Sequence, residues 1–143
     1  MIVKKDSVFK DKLDALTNIA KLAEDEGFIS NYRLFLKGLI ERENTFSTGM
    51  GDAIAIPHCK CEDIQEVFII ICTLKNKIQW QSIDNQDVDF IITLGIPSNN
   101  IDNNYLSIMS KLAKNLMNKE FIKELKSLDS ETEIINKIKS TIS

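Results

Sequence analysis

The chain has 143 residues, 43% hydrophobic and 27% charged, with a formal net charge of −3, enough for a single domain with a real core. Its 18 Lys and Arg are scattered among 21 Asp and Glu, so no basic block suits nucleic acid or an anionic membrane. No apolar run approaches a membrane span of ~20 residues, Met1–Lys5 lacks a signal-peptide core, and Cys59, Cys61 and Cys72 are an odd set that argues against a disulfide framework; a cytoplasmic, reduced protein is expected.

Along the chain, Phe9, Leu13, Leu16, Ala20 and Ala23 recur at helical spacing, predicting a helix from about Asp6 to Asp25 with Gly27 as its C′ residue. Ser30 is placed to cap a second helix whose apolar face is Tyr32, Phe35, Leu36, Leu39 and Ile40, running out near Arg42 to Asn44. A glycine-bearing loop, Phe46 to Asp52, leads into the short apolar run Ala53 to Ile56, which is halted by Pro57. Val67 to Leu74 and Val88 to Leu94 are apolar on both faces, as interior strands are. Ile78-Gln79-Trp80 reads as a further outer strand, and Asp84-Asn85 as a turn. Leu106, Met109, Leu112, Ala113 and Leu116 form a helical stripe, Phe121, Leu125 and Leu128 continue it after a break, and Ser130 with Glu133 makes a capping box before the last helix. The order αα-β-β-β-β-αα predicts one α/β layer domain over residues 1–143, with helices on both sides of a sheet.

His58 is the only histidine and follows Ile56-Pro57, where a buried strand should emerge at the sheet's edge. Imidazole is a neutral nucleophile near pH 7. A phosphoryl group on it would need its negative charge matched by cations and N–H or hydroxyl donors. Arg42 at the helix end, with Ser47, Thr48, Gly49 and Gly51 in the loop, supplies that chemistry. The bland alternatives stand beside this reading: a half-buried histidine with no task, and an exposed helix-end cation favoured by the macrodipole. His58, Cys59 and Cys61 could also suggest a metal, but tetrahedral zinc sites usually need a second ligand pair, which is absent. Nucleotide-binding glycine loops and the G-x-S-x-G elbow are missing too.

The segment from Glu41 to His58 carries a resemblance. Arg42-Glu43, Ser47-Thr48-Gly49 and Ala53-Ile54-Ala55-Ile56-Pro57-His58, with Arg42 sixteen residues before the histidine, resemble the signature of the fructose/mannitol-class IIA superfamily of the bacterial sugar phosphotransferase system. The likeness continues through Trp80, Ile83-Asp84, Val88 and Gly95-Ile96-Pro97 to the helix from Leu106. It implies a three-layer α/β/α sandwich around a mixed sheet. His58 matches the phosphorylated histidine, Arg42 the active-site arginine and Thr48 the loop threonine, with Ser47 and Gly49 as neighbouring phosphate-binding candidates. It also implies receipt of phosphate from HPr and delivery to a cysteine of a IIB partner, which serves a membrane IIC permease, with no metal or organic cofactor. Mannitol- and fructose-type members commonly carry a second histidine where this chain has Tyr105. Its absence, with Cys59 directly after Pro57-His58, is similar to the galactitol-type branch. Tyr105 is therefore a possible second-site residue. A sugar-transport phosphocarrier and a regulatory IIA-like protein controlled by its phosphorylation state both fit.

Overall fold

A computed structural model describes residues 1–99 and 104–143. These fall into two compact units, one within Met1–Asn99 and one spanning the described residues from Asn104 to Ser143.

The first unit holds β1 (Ile2–Ser7), α1 (Lys12–Asp25), α2 (Tyr32–Thr45), β2 (Gly49–Gly51), β3 (Ile54–Ala55), β4 (His58–Cys61), β5 (Phe68–Ile78) and β6 (Val88–Pro97). The six strands form one mixed sheet in the order β1-β5-β6-β3-β2, with β4 also paired to β6. β1 runs parallel to β5, β3 and β4 run parallel to β6, and β5 with β6 forms the long antiparallel centre. Phe68, Ile70, Cys72 and Leu74 of β5 join Leu16, Ile19, Ala20, Phe35 and Leu39 in the core beneath α1 and α2. Ile69 and Ile71 point to the opposite face and are equally buried, which is why these strands read as unbroken apolar runs.

Local chemistry sets the ends. α1 starts at Asp11, whose carboxylate accepts from Asp14 N–H at 2.8 Å. It ends in a Schellman motif: Phe28 N–H donates to Ala23 O and Gly27 N–H to Glu24 O, with Gly27 at φ 77°. The expected helix start at Asp6 is therefore wrong. The residues before Lys12 include an edge strand, β1, whose Lys4, Lys5 and Asp6 hide it from an apolar pattern. Leu13, expected on the inward stripe, is exposed, and Ala15 and Ile19 take the core side. Asn31 rather than Ser30 caps α2, because Ser30 is held by the Asp63 carboxylate. Ile78 closes β5, while Gln79 and Trp80 lie beyond it, so the expected outer strand does not form.

The second unit comprises α3 (Asn104–Leu116), α4 (Lys119–Ser127) and α5 (Glu131–Ile142). Leu112, Leu116, Ile122, Leu125, Ile134 and Ile138 are its buried side chains. Asn118 caps α4, and Ser130 caps α5 by accepting from Glu133 N–H at 3.1 Å, as the capping-box sequence predicts. Among the described residues no helix is long and apolar enough to cross a membrane.

Candidate functional site

His58 opens β4. β3 and β4 are two segments of one line along β6, since Ile54 pairs with Phe90, Ala55 with Ile91 and His58 with Leu94 in a single register. The break falls at Ile56-Pro57. Pro57 has no N–H for the ladder, while its carbonyl still accepts from Leu94 N–H at 3.0 Å. The expectation that pairing stops before the histidine is therefore corrected: it lapses for two residues and resumes at His58.

The half-buried imidazole lies with Nδ1 2.9 Å from the Ile56 carbonyl oxygen. A carbonyl accepts only, so Nδ1 carries the proton and donates, and the lone pair of the neutral ring sits on Nε2. The pKa of His58 is lowered, chiefly by burial and further by the Arg42 charge, against the opposing pull of the Ile56 hydrogen bond and of Glu43. At neutral pH the ring is uncharged, with its proton on Nδ1.

Arg42 stands in the last turn of α2, and one Nη1–H donates to the Phe46 carbonyl at 2.5 Å. This contact closes the helix end and leaves the other guanidinium donors for a further acceptor. Glu43, its neighbour, is a buried carboxylate whose side chain is 4% exposed. Lys12 Nζ lies 2.6 Å from Glu43 Oε2 and donates to the Trp80 carbonyl at 3.2 Å. The Thr48 hydroxyl donates to Glu43 Oε1, Thr48 N–H donates to Oε2 at 3.2 Å, and the same hydroxyl accepts from Trp80 Nε1–H at 3.2 Å. Trp80 is fully buried.

The loop residues expected to face phosphate are thus engaged within the protein, with Glu43, with Trp80 and with each other. Ser47 Oγ donates to the Trp80 carbonyl and accepts from Gly49 N–H at 3.1 Å. Thr48 has given both its N–H and its hydroxyl proton to Glu43. These three residues brace the loop, and a phosphoryl group would reach their donors only by exchanging these bonds. Gly49 is required by space: a Cβ there would sit 2.1 Å from Ser82 Oγ. Asp52 and Ala53, at φ 55° and 63°, form the two-residue hairpin turn between β2 and β3.

The structure brings His58, Arg42, Glu43 and the Thr48 loop into one electrostatic neighbourhood. Tyr105 is half-buried in the first turn of α3, within the second unit. Asn104 precedes it as the first residue of α3. The Cys59 thiol is buried against the Phe35 carbonyl and its pKa is pushed up to about 12, so it is held as a neutral thiol. Among the described residues no three His, Cys, Asp or Glu side chains gather as a metal set. Lys12, Glu43 and Trp80 were not singled out for a site role by sequence. The only signals were the Arg42-Glu43 pairing and a lone tryptophan.

Residues 1–141 match the family described as "Phosphoenolpyruvate-dependent sugar phosphotransferase system, EIIA 2". The chain is 32% identical over 116 residues to the PTS system fructose-like EIIA component of Escherichia coli, covering 81% of this chain and 78% of that one. It is also 32% identical over 133 residues to the nitrogen regulatory protein of Escherichia coli, covering 92% and 80%. Multidomain EIIABC relatives are matched over only 19 to 20% of their length. Among solved structures, the nitrogen regulatory protein IIA-Ntr from Neisseria meningitidis superposes with a TM-score of 0.86 at 24% identity, covering 96% of this chain and 92% of that one, and it shares the α/β fold with a mixed sheet described above. The match across nearly the whole chain shows that this protein belongs to the EIIA 2 family of the phosphoenolpyruvate-dependent sugar phosphotransferase system.

Proposed function

We propose that the chain is a single IIA-type phosphocarrier domain that takes a phosphoryl group onto Nε2 of His58 and passes it to a second protein. The observation that carries this reading is the Nδ1 contact with the Ile56 carbonyl, which leaves the lone pair of the neutral ring on Nε2. In the first half-reaction the phosphorus–donor bond of phosphorylated HPr breaks as the Nε2–P bond forms. Nδ1 keeps its proton, and the ring's new positive charge strengthens its hydrogen bond to Ile56. In the second half-reaction a cysteine sulfur of a IIB-type partner attacks phosphorus, and the Nε2–P bond breaks. Arg42 stabilises the equatorial oxygens in both, since transfer between placed nucleophiles depends on positioning and charge. Ser47, Thr48 and Gly49 hold the loop beside the site through their bonds to Trp80, Glu43 and each other. No metal is needed for either step.

A protein donor and acceptor suit the surroundings. Phe46, Met50 and Ile83 are 61%, 43% and 72% exposed around the Ser47–Gly51 loop, an apolar fringe of the kind that protein contacts use. The fructose-like relative favours a transport role, in which a IIC permease takes up a sugar or sugar alcohol of the fructose or galactitol kind. The nitrogen regulatory relatives favour a second reading, in which the phosphorylation state of His58 governs binding to a regulatory partner. Both need the same chemistry. Incubation with phosphoenolpyruvate, enzyme I and HPr should add one acid-labile phosphate by intact mass, absent in His58→Gln. An acid-stable adduct, or one that survives the substitution, would overturn the reading. Pull-down of the phosphorylated and unphosphorylated forms against IIB then separates carrier from regulator.

A further inference from the structure

A continuous hydrogen-bonded path links a buried ion pair to the reactive ring. Lys12 Nζ meets Glu43 Oε2, and Glu43 takes the N–H and hydroxyl of Thr48. The Thr48 carbonyl accepts from Ile56 N–H at 3.0 Å, and the Ile56 carbonyl accepts from His58 Nδ1 at 2.9 Å. Thr48 and Ile56 are therefore each held at both N–H and C=O, and the path starts at the first residue of α1 and ends at β4. Glu43 is buried and near enough for its charge to act on His58, and a buried carboxylate without a partner opposes negative charge on that ring. Lys12 cancels it. It is itself held by the Trp80 carbonyl and lies 5.2 Å from the centre of the Trp80 ring.

Resting on the phosphocarrier reading above, we propose that Lys12 and Glu43 are positioning residues that set the stability of phosphorylated His58. The pair holds the Thr48 and Ile56 peptides that orient the imidazole, and the Lys12 charge keeps Glu43 from repelling the phosphoryl group. A pair that served the fold alone would alter melting temperature and nothing at His58.

The charged groups acting on His58 are Arg42 and Glu43, so the unphosphorylated ring reports the balance directly. Lys12→Met keeps the length of the stem and deletes the charge. It should shift the phosphoryl exchange equilibrium with HPr against this protein by about tenfold. It should also move the His58 NMR titration midpoint upward, because the uncompensated carboxylate favours the imidazolium. The double variant Lys12→Met/Glu43→Gln removes both charges and should return the titration midpoint to near that of the unsubstituted protein, while exchange recovers only in part, because an amide offers Thr48 one acceptor oxygen where the carboxylate offers two. If Lys12→Met does not fold, the double variant decides, and Lys12→Arg, which keeps the charge, should lie between. The proposal is overturned if Lys12→Met folds with both readouts unchanged, or if the double variant folds and is as impaired in exchange as Lys12→Met is expected to be. Unsubstituted protein that takes no phosphate overturns the phosphocarrier reading itself. A normal midpoint and normal exchange in Lys12→Met, beside normal phosphorylation of the unsubstituted protein, refute the ion-pair role alone.

Discussion

Replacing Arg42 by alanine separates mechanism from fold. The side chain is partly exposed, and among the described residues it makes one hydrogen bond, the Nη1 contact to the Phe46 carbonyl, so its loss should cost about 1 kcal/mol of stability or less. Its contribution to transfer is larger. A charge-assisted contact to an oxygen of the transferring group is worth about 3 kcal/mol, which is roughly a hundredfold in rate. The same substitution should raise the His58 titration midpoint, because the Arg42 charge is one of the causes that lower it. The chain has one histidine, so its imidazole resonances need no assignment, and quench-flow transfer from phosphorylated HPr gives the rate. Arg42→Lys should restore the midpoint and only part of the rate, since an ammonium keeps the charge and loses the planar fork. Normal transfer in Arg42→Ala, or a fall in rate that merely tracks unfolding in urea, would refute the assignment.

Four further outcomes follow from the same geometry. Because the pKa of His58 is lowered from 6.5, the transfer rate should be level above pH 7 and should fall only below the usual histidine range, as the imidazolium appears. The linked stability contribution has the same sign: the unfolded chain binds the proton more readily, so stability drops as pH falls from 6.5 toward the folded-state value and is constant above it. Thr48→Val leaves Trp80 Nε1–H without its acceptor and takes a donor from Glu43, which should cost about 2–4 kcal/mol in urea unfolding; a loss under about 0.5 kcal/mol would show that the network is slack. Tyr105→Phe should leave the transfer rate unchanged while Tyr105→Ala lowers the melting temperature, the behaviour of an aromatic cover. A tenfold fall with phenylalanine, about 1.4 kcal/mol, would instead place the hydroxyl in the reaction.

What the sequence disclosed depended on whether the signal was local. Val67 to Leu74 and Val88 to Leu94 announced β5 and β6 because both faces are buried, and Ser130 with Glu133 announced a helix start. His58 and Arg42 stood out because a single histidine after Pro57 and an arginine in a lysine-rich chain are rare types in fixed order. β1 stayed hidden, since an edge strand carrying Lys4, Lys5 and Asp6 has no apolar alternation to detect. β4 stayed hidden because Pro57 looks like a terminator, whereas only one stretch of the ladder is lost. The Lys12–Glu43–Thr48–Trp80 network was not legible either. Its members come from three distant stretches of chain, and each reads alone as an ordinary surface charge, loop residue or core aromatic. The expectation that Ser47, Thr48 and Gly49 point their donors at phosphate assumed an open loop, while buried polar groups satisfy each other first.

The central claim is the identity of the reacting nitrogen. Long-range nitrogen–proton correlation spectra of the protein labelled with nitrogen-15, recorded before and after phosphorylation by HPr, distinguish the two imidazole nitrogens directly. With Nδ1–H held by the Ile56 carbonyl, the unphosphorylated ring should show the proton on Nδ1, and the phosphorylated ring should show phosphorus coupled to Nε2 alone. Phosphorus on Nδ1, or a neutral ring protonated on Nε2, would contradict the account.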